Sequence, residues 1–125
     1  MGHGRLPTAC KPHVAMRQGE IWFANLDPVK GSEQSGSRPV VIVSGDTLND
    51  TLPIVIVVPI TSKVKSYPTC VILSASKVSG LRKDSEAMTF QIRALSKKRL
   101  TKRIGRIGGE ELRGILKGLF VALTH

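Results

Sequence analysis

The sequence predicts a β-rich α+β fold, a curled antiparallel β-sheet packed against a C-terminal helix. Three observations predict it. Two β-branched runs dominate the first half, Pro39-Val40-Val41-Ile42-Val43 and Pro53-Ile54-Val55-Ile56-Val57-Val58, and such runs suit strands covered on both faces or rolled into a barrel. From Gly108 onward, Leu112, Ile115, Leu116, Leu119, Phe120 and Leu123 recur at three- and four-residue spacing, the period of an amphipathic helix. Few helical patterns intervene between the strand signals, which argues against a parallel α/β sheet.

The elements follow in order. Residues 1–16 hold Gly, Pro, His and Cys without periodicity and read as a flexible or vector-derived leader, with one domain over residues 17–125. A first strand carries Ile21, Trp22 and Phe23 and should stop at Asp27-Pro28, where proline removes a backbone donor. Residues 28–37, PVKGSEQSGS, read as a mobile connection of the kind that often carries function. The two β-branched runs are the central strands. Between them Asp46 to Thr51 suits one helical turn with Asp46 as its cap. Val71-Ile72-Leu73 offers a further strand. Met88, Phe90 and Ile92 alternate with Thr89, Gln91 and Arg93, the pattern of a strand with one buried and one polar face, the latter placed to line a site. Glu110 and Glu111 stand in the first turn of the final helix, where they favour its dipole.

Composition narrows the function. At 125 residues and 41% hydrophobic content the chain has room for one core. Nineteen Lys and Arg against nine Asp and Glu give a net charge of +10, a field that attracts nucleic acid or a strongly acidic protein. Residues 82 to 117 hold eleven of the basic residues and four acids, with Lys97, Lys98, Arg99, Lys102, Arg103 and Arg106 densest. A merely solvated face accounts for charge alone equally well. Cys10 and Cys70 have no metal-site spacing and suit a reduced, cytoplasmic chain. No apolar stretch approaches the ~20 residues a bilayer span requires, and residues 1–15 lack a secretory apolar block.

The chemistry available is restricted. The acids are scattered, the closest pairs being Asp84 with Glu86 and Glu110 with Glu111, poor material for the carboxylate clusters of metal-dependent nucleases. His3, His13 and His125 lie at the chain ends, so histidine acid-base work is not expected. RNA can be cut without either, because its 2′ hydroxyl attacks the adjacent phosphate once the nucleotide is held in line. Charge then gathers on the phosphorane oxygens, which a guanidinium and a hydroxyl can stabilise together. Arginine gives up a proton reluctantly, its pKa exceeding ~12, so an electrostatic role suits it better than an acid role. This reasoning selects no particular arginine.

A family resemblance does. Gly19-Glu20-Ile21-Trp22, then Asp27-Pro28, then Gly31-Ser32-Glu33-Gln34-Ser35-Gly36-Ser37-Arg38-Pro39 resembles the opening of MazF and PemK toxins, which runs G-D/E-I/V-W/Y and then GSEQxGxRP into a hydrophobic strand. Val58-Pro59-Ile60-Thr61-Ser62 is similar to the family's VPxT strand end, and Tyr67-Pro68 and Gln91-Ile92-Arg93 continue the match across roughly residues 17 to 123. The resemblance implies an SH3-like barrel, a homodimer with an RNA groove across its interface, and sequence-selective cleavage of single-stranded RNA. It also implies a reaction without metal or cofactor that leaves a 2′,3′-cyclic phosphate, and inhibition by an acidic, MazE-like antitoxin.

Carried over by position, Arg38 matches the family's catalytic arginine and Thr61 its catalytic threonine. Ser32, Glu33 and Gln34 match the loop that closes on RNA, while Lys63, Tyr67 and Gln91 fall where relatives line the groove. The Kid branch places an Arg and an Asp on the strand before Gln-x-Arg, but this chain has Met88 and Phe90 there, and Ser32 replaces that branch's loop histidine. The Arg and Thr version of the mechanism is therefore expected, with Glu33 the nearest carboxylate to accept a proton; a loop acid bonded to backbone amides is the other reading of Glu33. Two rival functions share these features. One is a CcdB-like gyrase poison, although such poisons end in a tryptophan-bearing tail and this chain's only tryptophan is Trp22. The other is an RNA-binding module without catalysis, in which Tyr67 stacks on a base.

Overall fold

The computed structural model describes residues 15–26 and 37–125. Seven strands form one curled antiparallel sheet: β1 (Glu20–Asn25), β2 (Ser37–Ile42), β3 (Ile54–Thr61), β4 (Val71–Leu73), β5 (Ser85–Ala87), β6 (Arg93–Ser96) and β7 (Leu100–Arg106). Helix α1 (Asp46–Thr51) joins β2 to β3, and α2 (Gly109–Thr124) follows β7. The strand order is β4-β5-β3-β2-β1-β7, with β6 also paired to β3. Most of the leader, residues 1–14, and the connection from Asp27 to Gly36 lie outside the described residues.

β3 is the spine of the sheet. Its Val57 pairs with Ile42 of β2 on one edge and with Arg93 of β6 on the other, while Ile60 and Thr61 pair with Ala87 and Glu86 of β5. β6 and β5 thus take successive stretches of the same edge, and the sheet curls there. Both faces of the central strands are covered, as the unbroken β-branched runs predicted. Val40, Ile42, Val55 and Val57 join Trp22, Ala24, Leu95 and Leu100 in one core. The intervening Val41, Val43, Val58 and Ile60 join Ile21, Leu73 and the α2 residues Ile115 and Leu119 in the other. Each of these buried aliphatic side chains contributes about 1.5–3 kcal/mol by leaving water.

α2 lies against β4 and a short 3₁₀ turn, Thr89–Gln91. Glu111 caps it, its Oε1 accepting the Gly108 N–H at 2.9 Å. Gly118 sets the closeness of its approach, because a Cβ there would sit 2.1 Å from the Thr69 carbonyl oxygen. The helix's apolar stripe is wider than this packing covers: Phe120 and Leu123 remain 66% and 72% exposed. Among the described residues no helix is long and apolar enough to cross a membrane.

Two expectations are corrected. Asp46 is not the cap of α1, which starts from Gly45; its carboxylate instead accepts the Gln18 N–H at 2.7 Å and pairs with Arg17, tying the start of the domain to the helix. Residues 88–93 are not one alternating strand. β5 ends at Ala87, the chain turns through Thr89–Gln91, and Thr89 is buried while Phe90 is exposed. The reversal has a cause: the Thr89 hydroxyl lies 3.1 Å from the Thr69 carbonyl and 2.9 Å from the Thr69 hydroxyl, and these hydrogen bonds draw a polar residue inward. The dense basic stretch contains β7, an edge strand whose strand partner among the described residues is β1, interrupted by register shifts and with its Arg106 N–H donated to the Val78 carbonyl at 2.9 Å. Its Lys and Arg side chains blunt the open edge against further pairing.

Candidate active site

The site grows from the end of the β2-β3 pair. Val40 pairs with Pro59, so two residues further along each strand Arg38 comes opposite Thr61. Side chains on a strand alternate between faces, which puts Arg38 on the face of Val40 and Ile42, and Thr61 on that of Val55 and Val57. Both line one cleft of about 440 Å³, with Lys63, Lys65, Tyr67, Met88, Gln91 and Arg93 among the other lining residues. Five expected site residues, Arg38, Thr61, Lys63, Tyr67 and Gln91, therefore share a cavity. Ser32, Glu33 and Gln34 lie outside the described residues.

The cleft is cationic. Arg38, Lys63, Lys65 and Arg93 line it without a carboxylate among the described residues, which favours a polyanion over any neutral ligand. Arg38 is exposed and, among the described residues, forms no salt bridge. No ion pair with a described residue occupies its guanidinium, which can donate a fork of hydrogen bonds to a phosphate. The Thr61 Oγ1 accepts the Lys63 N–H at 3.1 Å. That bond occupies a lone pair and leaves the hydroxyl proton to be donated. Tyr67 and Phe90, 40% and 51% exposed, stand edge to face with ring centroids 5.4 Å apart, an aromatic rim able to stack on a base.

The acid pair singled out in the sequence does different work. Asp84 accepts the Ala75 N–H at 2.8 Å. Glu86, fully buried, accepts the N–H groups of Lys65, Ser66 and Tyr67 at 2.7, 3.0 and 2.8 Å. Its role was not visible in the sequence, since the three amides lie about twenty residues away and backbone donors leave no trace in residue types. Lys65 and Arg93 also join the cleft; Arg93 closes the Gln-Ile-Arg motif, a signal that pointed to it.

Known proteins fit this architecture. Residues 17–123 match the model of the PemK-like, MazF-like toxins of type II toxin-antitoxin systems. Endoribonuclease MazF9 of Mycobacterium tuberculosis is 45% identical over 103 residues, 78% of this chain and 86% of that protein. Among solved structures, the Mycobacterium tuberculosis toxin MazF-mt6 superposes with a TM-score of 0.71 at 25% identity, covering 83% of this chain and 95% of that one. MazF from Deinococcus radiodurans gives 0.72 at 23% identity, over 91% and 100% of the two chains. The chain belongs to the PemK-like, MazF-like toxin family of type II toxin-antitoxin systems and is an enzyme of the MazF endoribonuclease type.

Proposed function

We propose that this toxin cuts single-stranded RNA at selected sequences, without a metal, by attack of the substrate's own 2′ oxygen on the adjacent phosphorus. The P–O5′ bond breaks, the 2′ proton passes to an acceptor and the 5′ oxygen gains one, leaving a 2′,3′-cyclic phosphate and a 5′ hydroxyl. Arg38 and Thr61 are the catalytic pair: the guanidinium and the hydroxyl donate to the phosphorane oxygens and favour them over the ground-state phosphate. Lys63, Tyr67 and Gln91 hold the flanking nucleotides. The observation that carries this reading is the meeting of Arg38 and Thr61 in a cleft rich in cations.

The working unit is a homodimer in the cytoplasm, neutralised by an acidic antitoxin. Support for the dimer comes from α2, whose Leu116, Phe120 and Leu123 remain exposed, an apolar face suited to a second copy. Support for the antitoxin comes from the +10 charge and from a mycobacterial endoribonuclease of the same fold described in complex with its cognate antitoxin. Trp22, buried in β1 with its Nε1–H donated to Glu20 at 3.0 Å, is not offered for a CcdB-like contact. Incubation with a long RNA in EDTA, followed by mapping of the ends, tests the reading. Discrete cuts with cyclic phosphate ends are expected; intact RNA, or ends bearing a 5′ phosphate, would overturn it.

A further inference from the structure

We infer that Glu86 is a positioning residue for RNA binding: its buried carboxylate holds segment 63–67 in the shape that delivers Lys63, Lys65 and Tyr67 to the cleft. The inference rests on the RNA-cleaving function proposed above. Glu86 pairs directly with Thr61 across β5 and β3, and these two facing residues organise the same segment. Thr61 Oγ1 accepts the amide of Lys63, Glu86 Oε1 accepts those of Lys65 and Ser66, and Glu86 Oε2 accepts that of Tyr67. Ser66 makes the convergence possible, its φ of 55° turning successive amides toward one anion. A non-glycine residue holds that left-handed conformation at a cost, and does so only where its surroundings fix it.

Burying a carboxylate is costly unless strong donors meet it. Among the described residues Glu86 forms no salt bridge, so backbone amides alone meet its charge. A small apolar side chain beside Ser85 and Ala87 would fill β5 without that cost. What the carboxylate contributes is the geometry of one loop, and that loop carries three side chains of the cleft. Tyr67 is tied at both ends, its amide on Glu86 Oε2 and its ring against Phe90. Glutamine is nearly the same size but cannot replace the carboxylate. With its oxygen toward Lys65 and Ser66, its NH₂ faces the Tyr67 N–H, donor against donor.

The test compares wild type and Glu86→Gln for hydrogen exchange at residues 63–67 and for steady-state cleavage of an RNA. Faster exchange at Tyr67 and a KM raised about tenfold or more are expected, with kcat within about threefold, because the loop that Glu86 holds carries side chains that bind the flanking nucleotides and not the pair that acts on the phosphorane. Unchanged KM and exchange in a variant that still cuts overturn the inference alone. A wild type that cuts no RNA removes the proposed function, and the inference with it. Should the variant not fold, exchange in the wild type decides: the amides of Lys65, Ser66 and Tyr67 should be slower than that of exposed Val64 by about 10²-fold or more. Equal rates contradict a held loop.

Discussion

Arg38 and Thr61 lie on one face of β2 and β3, each two residues beyond the Val40-Pro59 pairing, and both line the same cationic cleft. In the proposed mechanism the hydrogen-bonded β2-β3 pair holds both side chains in place as donors before RNA binds. A one-residue slip would turn either side chain to the opposite face. Preorganisation of this kind is what electrostatic stabilisation of a transition state requires, since donors already in place need not reorganise during the reaction.

In the proposed mechanism the hydroxyl of Thr61 is the smaller of the two donors, and it can be removed almost without changing volume. Thr61→Val should lower kcat by about tenfold to 10²-fold, while Thr61→Ser retains most activity. Steady-state kinetics of the two variants checks this. Equal activity in Thr61→Val and wild type would leave the hydroxyl without a catalytic part.

Gly118 makes a stability prediction of unusual sign. Alanine normally improves a helix interior over glycine by about 1 kcal/mol. Here its Cβ would meet the Thr69 carbonyl oxygen at 2.1 Å, so Gly118→Ala should destabilise the fold by roughly 1–3 kcal/mol through overpacking. Chemical denaturation measures the difference. A stabilised variant would mean that α2 moves away from Thr69 freely.

Asp46 links stability to pH. The Gln18 N–H first, then Asn49 and Arg17, hold its carboxyl below the ordinary value of 3.8. A carboxyl lowered in the fold stabilises it above the unfolded value, and that contribution is lost as pH falls through the folded one. Melting temperature should therefore drop more steeply below about pH 4 in wild type than in Asp46→Asn. Parallel melting curves across that range would remove the linkage.

The apolar stripe left on α2 predicts assembly. Phe120→Glu with Leu123→Glu places charges on side chains that are already exposed in one chain, so the fold should survive while a dimer dissociates. Sedimentation of the paired variant should give a monomer where wild type gives a dimer. A wild type that sediments as a monomer contradicts the assembly.

The strands β2 and β3 and the helix α2 were legible because a local pattern encodes them: β-branched runs for a doubly covered strand, three- and four-residue spacing for a helix face. Residues 88–93 misled because Thr89 is drawn inward by hydrogen bonds to Thr69, a long-range partnership no local alternation reports. β7 was hidden because an edge strand carries lysines and arginines and because bulges break its period. At the site, arginine and threonine were predicted by the chemistry of RNA cleavage as residue types, but only resemblance to a family chose Arg38 and Thr61. Glu86 was read as half of an acid pair, whereas its partners are backbone amides.

Single-turnover cleavage by Arg38→Ala, measured beside its affinity for uncut RNA and its melting temperature, tests the central claim most directly. The rate should fall by about 10²-fold or more, with affinity changed only a few-fold and the fold intact. Cleavage at the wild-type rate, or activity lost only because the variant unfolds, contradicts a guanidinium that acts on the phosphorane.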